Sequence, residues 1–192
     1  MNLVIFGPPG AGKGTQSKFI VNEFNLYQLS TGDLLRNEIK NKTELGLKIS
    51  SIINSGELVS DEIVGSLIEK FISNEKYQNK IIFDGYPRTL SQAQNLDKLL
   101  KKYHQKIDLV LKLSVSLESV KKRIRERQIQ EKRTDDNEDI AIKRFKNYEK
   151  SSEQVLDYYK QTNLLKVVNG ESGIAEISIE ISELIKSIKG WL

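Results

Sequence analysis

Nine residues near the amino terminus do most to limit what this chain can fold into. An apolar run, Leu3–Phe6, leads into Gly7-Pro8-Pro9-Gly10-Ala11-Gly12-Lys13-Gly14-Thr15, and a segment of helical period, Lys13–Phe24, follows. Strand, glycine loop and helix in that order form a cradle for phosphate. The glycines let the backbone wrap the anion, N–H groups converge on it, the helix dipole favours negative charge, and Lys13 adds a point charge toward the outer phosphates. The residue after the lysine is Gly14, and the hydroxyl comes one place later at Thr15, so direct ligation of Mg²⁺ by that hydroxyl is not expected.

The rest of the chain alternates in the same way. Short apolar runs bounded by turn signals fall at 3–6, 80–84, 107–113 and 164–168, with a weaker one at 27–30. Between them lie segments of helical period at 13–24, 31–41, 60–73, 91–103, 117–127, 140–161 and 174–188. The alternation predicts right-handed βαβ crossovers: an α/β, three-layer αβα fold of the P-loop NTPase type, on a five-stranded parallel sheet. Ligands then sit beyond the carboxyl ends of the strands. Two stretches fit poorly. Residues 31–59 read as helix after helix without a strand, and 128–139 is polar and charged; both read as excursions that can close over a ligand. The 192 residues, free of internal repeats, suit one cooperative domain.

Composition removes several chemistries. Without cysteine there is no thiolate metal site, so structural zinc is not expected, and the single His104 lies among Lys101, Lys102 and Lys106 on a solvated helix end. No stretch reaches the roughly 18 apolar residues of a membrane span, which predicts a cytoplasmic protein with no membrane partner. The net charge of +4 lies wholly within 112–150, where twelve basic residues meet eight acidic ones. Only seven of the 30 basic residues are Arg: Arg36, Arg88, Arg123, Arg125, Arg127, Arg133 and Arg144. In so Lys-rich a chain, each Arg raises the question of a planar fork gripping phosphate or carboxylate.

Three further strings accompany the loop: Leu29-Ser30-Thr31-Gly32-Asp33-Leu34-Leu35-Arg36, Phe83-Asp84-Gly85-Tyr86-Pro87-Arg88 and Arg133-Thr134-Asp135-Asp136-Asn137-Glu138. In order and spacing the four motifs resemble the nucleoside monophosphate kinases, and among them the adenylate kinases with a short lid, over essentially the whole chain. The resemblance implies a core of residues 1–29, 60–125 and 137–192, a monophosphate-binding excursion at 30–59 and a lid at 126–136. It implies transfer of the ATP γ-phosphoryl to AMP giving two ADP, with Mg²⁺, by a monomer. ATP is assigned to Gly10, Ala11, Gly12, Lys13, Gly14, Thr15, Arg127 and the backbone at Ser172. AMP is assigned to Thr31, Arg36, Glu57, Leu58, Val59, Gly85, Tyr86, Pro87, Arg88, Gln92, Arg133 and Arg144. The catalytic cations are Lys13, Arg88, Arg123, Arg127, Arg133 and Arg144, and Asp84 is expected to hold Mg²⁺ through water. Arg123 and Arg127, spaced i and i+4, share one face of a helix, while Arg125 points away and reads as structural.

No general base is evident, which agrees with phosphoryl transfer, where the acceptor phosphate is already nucleophilic. A UMP/CMP kinase shares the loop, the arginines and the fold; Thr31 favours AMP, since pyrimidine-using members of the family commonly carry Ala there. A basic nucleic-acid-binding P-loop protein would use 112–150, but eight interspersed acids and the lack of aromatic platforms argue against a nucleic-acid partner. A guanine-reading switch fails for want of Asn-Lys-x-Asp: the nearest string is Asn41-Lys42-Thr43-Glu44.

Overall fold

β1 (Leu3–Phe6) is buried at all four positions and lies at the centre of a five-stranded sheet. With β2 (Tyr27–Ser30), β3 (Ile81–Asp84), β4 (Leu109–Ser114) and β5 (Leu165–Asn169), the spatial order is β2-β3-β1-β4-β5, and every pair is parallel. The structure is a computed structural model that describes residues 1–131 and 138–188, with backbone alone at residues 130 and 131. The order reverses around β1, so the crevice beyond its carboxyl end is where such a sheet receives a ligand.

Because side chains alternate along a strand, the sheet feeds two cores. Leu3 and Ile5 point, with Ile82 and Leu111, toward Ile20 of α1 (Lys13–Phe24) and toward Ile177, Ile181 and Ile185 of α8 (Ile174–Lys186). Val4, Phe6, Ile81 and Phe83 point the other way. They meet α4 (Asp61–Ile72) through Ile68, α5 (Leu90–Lys102) through Leu96 and Leu100, and α7 (Glu138–Gln161) through Val155 and Tyr159. That is why β1 and β3 read as unbroken apolar runs, whereas the edge strand β5 leaves Lys166 and Val167 exposed.

The stretch 31–59 holds two helices and no strand, as expected: α2 (Thr31–Lys40) and α3 (Glu44–Asn54), capped by Ser30 and Thr43, with residues 55–59 following outside any helix. The two cross so closely that a Cβ on Gly46 would stand 2.1 Å from the Glu38 carbonyl oxygen, a contact only glycine permits. α6 (Leu117–Glu131) runs four residues past its expected end at 127. The apolar period fades there, but Glu126, Arg127 and Gln128 are good helix formers, and propensity carries the helix on. A small cluster of Val120, Ile124, Ala141 and Phe145 joins α6 to α7.

At the amino-terminal end of the sheet, opposite the crevice, Asn2 is fully buried and hydrogen-bonded throughout. Its Oδ1 accepts from Ile81 N at 3.1 Å, and its Nδ2 donates to Gln105 Oε1 at 3.1 Å and to the Lys106 carbonyl at 3.0 Å. Asn2 thus ties β1, β3 and the turn before β4. Asn2→Ala leaves these groups unpaired in a dry place and should lower the unfolding free energy by roughly 2–3 kcal/mol, read as a lower urea midpoint at unchanged slope. An unmoved midpoint would contradict this role.

Candidate active site

Beyond the carboxyl ends of β1 and β3 lies a cleft of about 860 Å³, in the upper part of the range for small-molecule sites. Its floor is the loop after β1. Gly12 takes a φ of 95°, a left-handed conformation that L side chains rarely adopt, and turns the chain into α1, whose amino terminus has no side-chain cap. The N–H groups of that first turn are thereby left for an external acceptor. Parallel pairing aligns Ile5 with Asp84, which sets the end of β3 beside the loop.

Among the described residues the six cations Lys13, Arg36, Arg88, Arg123, Arg127 and Arg144 line this one cleft, and so does Lys18. Lys13 Nζ folds back to donate to the Gly7 and Pro8 carbonyls, at 2.7 and 3.1 Å. Arg88 Nε donates to the Gly85 carbonyl at 2.7 Å, and Arg144 Nη2 to the Ile53 carbonyl at 3.2 Å. Arg123 spans two segments, from the Ala11 carbonyl at 3.3 Å to the Gly170 carbonyl at 2.8 Å. Arg36 Nη2 pairs with Asp33 Oδ1 at 2.5 Å.

Burial, together with like charges set close to one another, disfavours the charged form of two of these groups. Burial, opposed by Asp84 and reinforced by Arg88 and Arg127, lowers the Lys13 pKa to about 8. Arg88 is exposed at the mouth of the cleft, but its guanidinium lies against the Gly85 carbonyl, where the surrounding protein partly withdraws it from water. That withdrawal from water, with Arg144 and Arg36 nearby and Asp84 opposing, brings its pKa to about 10. Both groups would be relieved by an anion.

The residues expected at the site do not all stand on its wall. Gly10, Ala11, Gly12, Gly14, Thr15, Glu57, Leu58, Val59, Asp84, Gly85, Tyr86, Pro87 and Ser172 line the cleft with the six cations. The Tyr86–Pro87 peptide bond in this turn is cis. Thr31 is buried behind the wall and donates to the Gly85 carbonyl at 3.0 Å. Gln92 is likewise buried, its Oε1 accepting from Arg88 N at 2.7 Å and its Nε2 donating to Asp61 Oδ1 at 2.6 Å, so both ends of its amide are engaged. The Glu57 carboxylate pairs with Lys143 at 2.7 Å. Arg125 points away and pairs with Glu138. Arg133 lies outside the described residues.

Some wall residues escaped the sequence reading. Gln28 donates to Asp84 Oδ2 at 2.8 Å and fixes that carboxylate. Tyr148 and Ser152 follow Arg144 along the same face of α7, at four and eight residues, and complete one side of the cleft. The helical spacing from Arg144 was the available signal.

A phosphate loop at the switch point of a parallel sheet, facing a cleft rimmed by guanidinium groups, defines an α/β kinase acting on nucleotides. The adenylate kinase family model matches residues 5–164. The chain is 41% identical to the adenylate kinase of Pelagibacter ubique over 212 aligned positions, covering 97% of this chain and all of that protein. It is 41% identical to the adenylate kinase of Bartonella henselae, over 97% of this chain and all of the relative. It is 40% identical to that of Caulobacter vibrioides over 98% of each. The chain belongs to the adenylate kinase family.

The Lys13 pKa gives a test of the loop. Phosphate favours the ammonium form, so binding near pH 8 should take up a proton, and affinity for a nucleotide should fall as pH rises through about 8. Calorimetry in two buffers of different ionisation enthalpy reads the uptake, and Lys13→Met should abolish it. Proton release, or an affinity that stays flat from about pH 7 to pH 9.5, would refute the placement of Lys13 against phosphate.

Proposed function

We propose that this nucleoside monophosphate kinase carries the γ-phosphoryl of ATP to AMP and back, with the two nucleotides meeting end to end in the one cleft. The observation that carries the reading is that the phosphate loop and the arginines Arg36, Arg88 and Arg144 open into the same cavity from different segments. In this arrangement the loop residues 10–15 hold the donor phosphates, with Arg123 and Arg127 of α6 beside them. Arg36, Arg88 and Arg144 hold the acceptor phosphate. Lys13 lies between, within electrostatic reach of both Arg88 and Arg127. Such a site needs no general base: it aligns two phosphates and neutralises the charge of the transferring group. Residues 30–59 form the monophosphate arm and residues 126–136, Arg133 among them, the short lid, which together exclude water from the transfer.

Mg²⁺ suits the donor set. It keeps several waters and accepts one or two carboxylates plus substrate phosphates, and Asp84 is a buried carboxylate oriented by Gln28 beside the phosphate loop. Asp84 would hold the ion through water, and the chemistry supplied there would be charge neutralisation of the donor phosphates. Among the described residues no helix is long and apolar enough to cross a membrane. A cytoplasmic location and a monomeric state belong to the same proposal.

A coupled assay with ATP, AMP and Mg²⁺ should show ADP formation, with AMP preferred over CMP, UMP and GMP. Folded protein that forms no ADP would overturn the reading, and a pyrimidine preference would transfer it to a UMP/CMP kinase. Arg88→Lys replaces a planar fork with a point charge and should raise the KM for AMP at least tenfold while moving that for ATP less than about threefold. Equal changes for both nucleotides would contradict the assignment of Arg88 to the acceptor.

A further inference from the structure

We propose that Glu171 is a positioning residue for phosphoryl transfer: it pins the start of α6 to the loop between β5 and α8, and so sets where Arg123 and Arg127 meet the donor phosphates. The inference rests on the donor-end reading given above.

The first turn of any helix leaves N–H groups to be satisfied from outside. At α6, Ser116 Oγ accepts from Ser119 N at 3.2 Å, the usual capping bond. Glu171 arrives from 52 to 55 residues further along the chain to complete the cap. Its Oε1 accepts from Ser116 N at 2.6 Å, and its Oε2 from the Ser119 hydroxyl. The Ser116 N–H bond holds the Glu171 pKa below the usual carboxylate range, so the group is ionised at neutral pH, where a negative charge also suits a helix amino terminus.

The same loop grips α6 a second time. Arg123, seven residues past Ser116 and so roughly 10 Å along the axis, donates to the Gly170 carbonyl. Gly170 in turn donates to the Ser114 carbonyl at 2.9 Å at the end of β4, and a Cβ there would meet Val115 Cγ1 at 2.6 Å. Two ties at separate points fix the direction of the helix as well as its place. The next residue, Ser172, stands on the cleft wall while Glu171 does not. One loop therefore touches the donor end of the cleft and orients the helix that carries two of its arginines.

The test compares Glu171→Ala, Glu171→Gln and Ser119→Ala in the full chain, with steady-state constants for both nucleotides and thermal unfolding. Glu171→Ala should lower kcat about tenfold and raise the KM for ATP about threefold, with the KM for AMP within about twofold of wild type. Glu171→Gln keeps an acceptor for Ser116 N and should restore kcat to within about threefold. Wild-type constants in Glu171→Ala, equal rises in both KM values, or a rate that the Gln variant does not rescue would overturn the inference while leaving the site reading intact. Should the Ala variant not fold, Glu171→Gln and Ser119→Ala decide. A rise of about twofold in the KM for ATP alone supports the proposal, and unchanged values in both overturn it. Wild-type protein that forms no ADP overturns both this inference and the reading on which it stands.

Discussion

Lys13, Arg88, Arg123 and Arg144 share one habit on which the site depends: each donates to main-chain carbonyl oxygens. A neutral acceptor satisfies a guanidinium or ammonium geometrically without cancelling its charge. Burial first, and then the neighbouring cations, lower the pKa values of Lys13 and Arg88, and both effects oppose the positive charge that remains. Phosphate offers these cations a full negative charge and a bidentate fit that a carbonyl lacks, so an arriving nucleotide can displace the carbonyls at a net gain. Carboxylate partners throughout would have made a more stable empty protein and a poorer receptor for anions. Arg36, paired with Asp33, shows the other arrangement.

The sheet makes this assembly possible. Parallel pairing of β1 with β3 and β4 brings three strand ends to one edge, so the phosphate loop, the turn at residues 84–88 and the start of α6 emerge side by side. The two buried cores anchor these ends, while Asn2 and Gln105 lock the opposite edge where no chemistry takes place.

Much of this was legible in the sequence because it is local. A glycine loop between strand and helix has few alternative conformations, and the alternation of apolar runs and amphipathic segments prescribes a parallel sheet. What was hidden depended on partners distant along the chain. The amide of Gln92 suits an adenine edge by chemistry alone, yet Asp61 and the Arg88 backbone already occupy it. The hydroxyl of Thr31 is likewise spent on Gly85. In the structure both residues support the Gly85–Arg88 turn, Gln92 by holding the Arg88 N–H and Thr31 by holding the Gly85 carbonyl. The length of α6 was missed for another reason: past Ile124 no apolar side chain of the helix is buried, Ile129 being exposed, and periodicity is silent where no face is buried.

The guanidinium groups also serve as struts. Arg123 joins the phosphate loop to the segment after β5, and Arg144 joins α7 to the end of α3, where Lys143 adds bonds to the Ser55 carbonyl and Glu57. A phosphate that recruits such a side chain weakens a tie between segments as it forms a stronger one of its own. The arm and the loop are then held through the nucleotide instead of through the bare protein. On the proposed function, closure would follow from this exchange: the ligand would supply acceptors that make one arrangement of segments more stable than the other, which is the only way a ligand can shift a conformational equilibrium. The cations that neutralise the transferring group are thus the same contacts that register its arrival.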